Sequence, residues 1–333
     1  MAKTASLTGG RFPLVVDRGG LPGCVPKGRR AVRKERSAVS VSIDRMVRSA
    51  RSVLRRPFVW RAHRRDAGYS GSAPHGLAIC AIFREEAPFL AEWIEFHRGV
   101  GATQFYLYNN FSTDAFREVL APYIRDGIVT LTDWPVEVGQ VPAYRDCMRR
   151  FWRDARWIAL IDIDEFLFSP GTIDIVPILD RYRHVPGIHV WQHFFGSSGH
   201  MVPPDGPLLD AYRMRARIET ITTAKSIVNP RAVYRPDVHL SKYWWGESVD
   251  TNGAPVDDAA SKPMDLLRIN HYWSRSIRAL ETKIARGDAS TAIPRAPGWH
   301  FAFERTLNEV EDDAILPVAK AIREGRGTNS GRR

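Results

Sequence analysis

Three carboxylates, Asp162, Asp164 and Glu165, follow directly on the apolar run Trp157 to Ile161. An unbroken apolar run of that length is the pattern of a strand buried on both faces of a largely parallel sheet. No buried strand tolerates three acids in its middle, so they belong at its open end, where a cation or hydrogen-bond donors can face them. Ligands bind at that end in open α/β sheets. Alternation along an extended strand would set Asp162 and Asp164 on one face and turn Ile163 back into the core. Two hard oxygen donors so placed would converge on one divalent ion. The competing reading is that the acids cap the turn at Ser169, Pro170 and Gly171.

The elements needed to hold such an edge are legible upstream. Leu77 to Phe83 reads as a buried strand, followed by the polar Arg84, Glu85 and Glu86 and then by Pro88, which suits the first turn of a helix. That helix runs to about Val100 with Phe89, Leu90, Trp93, Ile94 and Phe96 or His97 toward the core, and stops at Gly99 and Gly101. Gln104 to Tyr108 is a second strand running into Asn109, Asn110, Ser112 and Asp114, where Ser112 or Thr113 would cap a helix reaching Ile124. Ile128 to Thr132 is a third strand, and a helix from Ala143 to Asp154 feeds the acidic strand. The order β-α-β-α-β-α-β, with polar residues after each strand, is that of a nucleotide-binding α/β half over 77–168. Neither a G-x-G-x-x-G after the first strand nor a Walker loop occurs, so phosphates must be held another way.

After Gly171 the pattern changes to shorter strands, at Gly187 to Phe195, Thr222 to Val228, Ala232 to Leu240 and Arg268 to Trp273, with a turn at Asn252-Gly253. A mixed extension of the sheet over 172–325 is expected. It includes a helix from Ser274 to Arg286 ended by Gly287 and a helical closing segment.

The 333 residues, 44% of them apolar, are enough for one large domain, placed at 73–325. The net charge of +11 suggests nucleic acid until it is located: residues 1–72 hold 17 Lys or Arg against 4 Asp or Glu, leaving −2 on the remainder. Residues 1–42 read as a disordered basic tail and 326–333 as a second one. In 43–72, a basic amphipathic helix (Ile43 to Trp60) and a linker either pack on the domain or anchor it peripherally on an anionic membrane. Cys24, Cys80 and Cys147 form no C-x-x-C pair, so neither a disulfide framework nor a structural zinc site is indicated and a cytoplasmic location is expected. No stretch approaches the roughly 20 apolar residues of a membrane span.

Six blocks in order then resemble glycosyltransferase family 92 and related bacterial family-2-like transferases of the GT-A fold. They are E86-A-P-F-L-A-E-W-I-E-F-H97, F105-Y-L-Y-N-N-F-S-T-D114, W157-I-A-L-I-D-I-D-E-F166, F195-G-S-S-G-H200, K225-S-I-V-N-P230 and R268-I-N-H-Y-W273 followed by R286-G. This chain has Glu85-Glu86 where the family usually reads Asn-Glu. The resemblance implies a nucleoside held around Glu86, Asn110 and Asp114, and a diphosphate held through Mn²⁺ or Mg²⁺ on Asp162 and Asp164. It also implies a third metal contact from His271. A cation there would stabilise the charge developing on a departing diphosphate.

Gln140, Tyr144 and Asp146 either contact the donor or serve as ordinary helix residues. If the sugar inverts, a general base is needed, for which His200 and Glu219 are the candidates. The expected activity is transfer of a sugar such as galactose from a nucleotide donor, UDP-linked, to a saccharide or glycoconjugate acceptor. Two alternatives stay open: a metal-dependent phosphohydrolase, since Asp-x-Asp after a buried strand also begins another signature, and a basic nucleic-acid module with an inactive transferase-like body, supported only by residues 1–72.

Overall fold

The computed structural model describes residues 73–217, 223–256, 262–287, 296 and 298–327. Contacts divide the chain into two units, 1–51 and 52–333, and every described residue belongs to the second. The tail read at 1–42, the amphipathic helix and linker at 43–72, Glu219 and residues 328–333 lie outside the described residues. Among the described residues no helix is long and apolar enough to cross a membrane.

The first half alternates as the sequence predicts: β1 (His75–Phe83), α1 (Ala87–Gly99), β2 (Ala102–Asn109), α2 (Phe116–Arg125), β3 (Val129–Asp133), α3 (Gln140–Phe151) and β4 (Ala155–Leu160). These four strands are parallel, with β1 between β2 and β4, and β3 outside β2. The second half adds β5 (Glu165–Phe168), α4 (Val176–Asp180), β6 (Gly187–Phe195), α5 (Leu208–Ala211), β7 (Met214–Arg215) and β8 (Ala224–Val228). It continues with β9 (Val233–Arg235), β10 (Lys242–Tyr243), β11 (Arg268–Tyr272), α6 (Ile277–Arg286), α7 (Trp299–Glu304), β12 (Val310–Glu311) and α8 (Leu316–Ala321). The main path of the sheet is β12-β7-β6-β8-β4-β1-β2-β3, and β11 joins it on β6 while also holding β5. Because β8 is antiparallel to both β4 and β6, and β11 is parallel to β6, β6 and β11 point the same way as β1 to β4.

The continuous apolar strands are explained by burial on both faces. Leu77, Ile79 and Ala81 of β1 pack with Trp93, Ile94 and Phe96 of α1, while Ala78, Cys80 and Ile82 face Ala143, Tyr144 and Cys147 of α3. A fully buried side chain of this size contributes about 1.5–3 kcal/mol, so α1 and α3 are held chiefly by these faces. Pro88 sits in the first turn of α1, where no intrahelical N–H is missed. The Asp114 carboxylate caps that turn by accepting from Ala87 N at 2.8 Å.

Two expectations are corrected. The acidic stretch is not the end of one strand: β4 stops at Leu160, Glu165 N donates to Asp162 O at 3.1 Å in a tight turn, and β5 begins at Glu165. Strand alternation therefore does not govern Asp162 and Asp164. Nor does Ser112 or Thr113 cap α2, whose first turn has no side-chain cap; Ser112 Oγ accepts from Glu85 N at 3.0 Å, and Thr113 N donates to Glu85 Oε1 at 2.6 Å.

Candidate active site

One edge of the sheet collects the unusual backbone. The five non-glycine residues with positive φ, among those described, are Glu85, Phe111, Val138, Ser198 and Arg275, and they follow β1, β2, β3, β6 and β11 respectively. All five thus stand at C-terminal strand ends on one edge, the edge that also carries the acidic turn after β4. A β-branched residue such as Val138 at φ 49° is strained. Strain of this kind persists only where surrounding structure over-determines it, and it clusters at ligand sites.

At the centre of that edge, Asp164, Glu165 and His271 each bring one ligand atom to within 4.8 Å of the other two. The antiparallel pairing of β11 with β5 sets His271 opposite Glu165. His271 Nε2 lies 3.4 Å from Asp164 Oδ2 and its Nδ1 3.5 Å from Glu165 Oε1; that Nδ1 is buried and makes no hydrogen bond. Asp162 is not part of this group. Its Oδ2 takes Lys225 Nζ at 2.6 Å and its Oδ1 takes Gln140 Nε2 at 2.7 Å, with the Tyr144 hydroxyl at 3.5 Å.

Two lysines balance the acids. Lys225, the second residue of β8 and 2% exposed, also lies 3.3 Å from Glu165 Oε1, and Lys283 on α6 donates to Asp164 Oδ2 at 2.8 Å and to Trp273 O at 3.0 Å. Burial would lower the Lys225 pKa, but Asp162 and Glu165 outweigh it and keep the ammonium charged. Burial disfavours the Asp164 carboxylate, yet Lys283 and His271 override that and hold it well below the usual carboxylate range. Glu165, wholly buried, is pushed up by burial with Lys225 opposing. Its carboxylate also accepts from Gln192 Nε2 and from Asp162 N at 2.9 Å. With a neutral imidazole, three carboxylates against two ammonium groups leave the cluster at −1. A divalent ion would turn it to +1, a sign that suits a diphosphate.

The residues present fit such an ion. Two carboxylate oxygens and an imidazole nitrogen form a mixed donor set that suits Mn²⁺ better than Mg²⁺, and the orphaned His271 Nδ1 is a buried acceptor or donor still without its partner.

The remaining expected residues separate clearly. Gln140 and Tyr144 meet Asp162. Asp146 does not; it accepts from Tyr108 OH at 3.0 Å and pairs with Arg149 and Arg150 on its own helix. Asn110 donates to Trp134 O and Val136 O, each at 2.9 Å, and so holds the loop after β3. Asp114 is the α1 cap described above. His200 lies 3.2 Å from Ala211 O through Nε2, with its ring edge-on to Tyr212, and among the described residues its side chain makes no hydrogen bond or ion pair with the acidic cluster. Glu86 is buried between Arg275 at 2.6 Å and Arg286 at 2.7 Å. Arg286 also donates to Arg84 O, and Arg84 returns a bond to Arg286 O at 3.2 Å, which ties the loop after β1 to the end of α6.

Sequence reasoning gives no role to Lys225, Lys283, Gln192, Arg275 or Arg286, although Lys225 and Arg286 both stand in the quoted blocks. Glu165 was noted as an acid and left out of the ligand set.

A parallel half-sheet with an acidic turn after its central strand, continued through antiparallel strands, is the α/β architecture expected of a GT-A domain. The pattern of glycosyltransferase family 92 matches residues 74–273, more than half of the chain, and the chain belongs to that family. It is 32% identical over 163 residues to a glycosyltransferase family 92 protein of Oryza sativa subsp. japonica, covering 48% of this chain and 28% of the relative. A family 92 protein of Ricinus communis is 27% identical over 205 residues, with 60% and 37% covered. A galactan β-1,4-galactosyltransferase of Arabidopsis thaliana is 26% identical over 207 residues, with 56% and 38% covered. The chain thus spans between a quarter and two-fifths of the length of these relatives.

Proposed function

We propose that this chain is a metal-dependent glycosyltransferase that moves a sugar, galactose by analogy with the Arabidopsis relative, from a UDP-linked donor to a saccharide acceptor with inversion. The observation that carries the reading is the convergence of Asp164, Glu165 and His271 at the C-terminal sheet edge of a family 92 chain. Asp164, Glu165 and His271 would hold Mn²⁺. Bound there, the ion would supply charge stabilisation to a departing diphosphate. The chain's own groups do the rest: Lys225 and Gln140 fix Asp162, Gln192 fixes Glu165, and Arg275 and Arg286 hold Glu86 rigid beside the donor loops. For the general base, His200 and Glu219 stay as proposals, with His200 requiring release from Ala211 O.

A second reading is favoured by the lysines. Lys283 already sits on Asp164, so it could neutralise the diphosphate itself, without metal. Calorimetric titration of UDP into the protein with Mn²⁺, and with EDTA, tests both readings. Tight binding that needs Mn²⁺ supports the first, equal binding with EDTA supports the second, and no UDP binding in either sinks the donor assignment. Incubation with a panel of UDP-sugars then identifies the sugar.

A further inference from the structure

An aromatic cluster stands outside the hydrophobic core, next to the acidic group. It starts one residue beyond β11 at Trp273, which is edge-on to Phe303 with ring centroids 4.9 Å apart and face-to-face with His300 at 6.0 Å and 13°. Trp299 stacks on Phe303 at 5.1 Å and 16°. Phe194 joins them to the site: it contacts Phe303 at 5.7 Å and the His271 ring at 4.8 Å. Each of these five aromatic residues is half-buried. Two tryptophans, two phenylalanines and a histidine gathered half-buried beside the acidic group form an aromatic patch of the kind that marks a ligand site.

Continuity with the acidic group says what that occupant is. Trp273 O accepts from Lys283 Nζ, the same ammonium that pairs with Asp164 and lies 5.2 Å from the Trp273 ring centroid. Whatever rests on these rings therefore lies beside the group proposed to meet the diphosphate. Electron-rich indole faces attract weakly positive C–H groups, which a pyranose ring presents on its flat faces while its hydroxyls seek donors such as those of His300 and Lys283. We propose that Trp273, Trp299, His300 and Phe303 form the acceptor platform, on which a saccharide chain stacks with its terminal sugar toward His271 and Asp164. The assignment rests on the transferase reading above and adds the residues that select the acceptor. A stable protein partner would engage roughly 20–30 residues a side, whereas this patch comprises the five side chains named, the scale of one or two sugar rings.

Saturation-transfer NMR with the full chain tests this, using β-1,4-galactotetraose, cellotetraose and maltotetraose as probes and Mn²⁺–UDP titration in the same samples as a separate readout. The wild type should transfer saturation to the ring C–H protons of at least one tetrasaccharide. Trp299→Ala should weaken that binding by about tenfold, Trp299→Phe should restore most of it because a ring face is kept, and UDP affinity should stay unchanged in both. Phe303→Leu provides a second, apolar-conserving variant, and thermal melts check that each variant folds. Equal tetrasaccharide affinity in the wild type and folded Trp299→Ala, or no transfer to any probe from a protein that binds UDP, overturns the platform. Ring-dependent saccharide binding in a protein that does not bind UDP keeps the platform and removes the UDP-donor assignment.

Discussion

Replacing Lys225 by methionine keeps an unbranched chain one atom shorter and removes the one charge that serves both Asp162 and Glu165. At 2.6 and 3.3 Å the two attractions are worth ~6 and ~5 kcal/mol in an effective dielectric of about 20. Most of that is offset by the cost of taking an ammonium out of water, so the net figure is set by what the deletion leaves behind. It leaves Glu165 wholly buried, with Gln192 and the Asp162 amide for donors and the His271 ring 3.5 Å away, but with no ammonium in contact. Breaking a buried pair by removing one partner typically costs about 3–5 kcal/mol. For a domain of this size each kcal/mol lowers Tm by about 2–4 °C, so a drop of roughly 6–20 °C is expected. Urea unfolding and thermal melts, both in EDTA, read the loss directly. The diagnostic variant is Lys225→Met combined with Glu165→Gln. Removing the buried charge as well as its partner should recover at least about half of the lost stability, because a neutral amide needs no counter-ion. A loss under about 1 kcal/mol in Lys225→Met, or a double variant as unstable as the single one, would refute the claim that this lysine compensates the buried acid.

Three further outcomes are expected. Asp164→Asn should cut sugar transfer by at least about 10²-fold while leaving the melting curve cooperative, a comparison made with saturating UDP-sugar and Mn²⁺. Burial holds His97 and His193 at pKa values of about 3 against 6.5 when unfolded, so below pH 6.5 the unfolded chain binds the extra protons. Stability is then full above pH 6.5 and should fall by about 1.4 kcal/mol per pH unit per histidine as pH drops toward 3; urea midpoints at pH 7, 6 and 5 measure the slope, and His97→Gln should reduce it. Deleting residues 1–72 should leave transfer to a soluble acceptor intact but abolish salt-sensitive binding to vesicles containing anionic lipid, which sedimentation would show.

How much of this was readable in advance depends on whether the signal was local. The strand Gly187–Phe195 has the bounds its composition gives, and β1, α1, β2 and β4 fall within two residues of expectation, because two-sided burial writes itself as an apolar run. The same rule concealed β5: its Glu165-Phe-Leu-Phe168 stretch follows so closely on β4 that strand, turn and strand read as one element with an acidic end. Asp146 could have been set aside, since six residues of helix carry it about 240° round from Gln140, whereas Tyr144 at four residues shares the Gln140 face. The compensating cations were out of reach. Lys225 lies 63 residues beyond Asp162 and Lys283 lies 119 beyond Asp164, and no periodicity links a lysine to an acid at such distances.

Those separations also set an order of events on a growing chain. The acidic turn leaves the ribosome well before either lysine exists; Lys225 follows first, then β11, which supplies both β5's partner and His271, and Lys283 comes last. Until Lys225 is made, Glu165 has no buried ammonium to face, so burying it would cost several kcal/mol. The parallel half can collapse early on the contacts of β1 with α1 and α3, but the acidic turn must stay hydrated and its strand unpaired until residue 272 has been made. A fragment ending before β8 would therefore carry a folded nucleotide half with an open, proteolysis-prone acidic edge. Non-local closure of that kind is slow, which marks this corner as the last part of the domain to form.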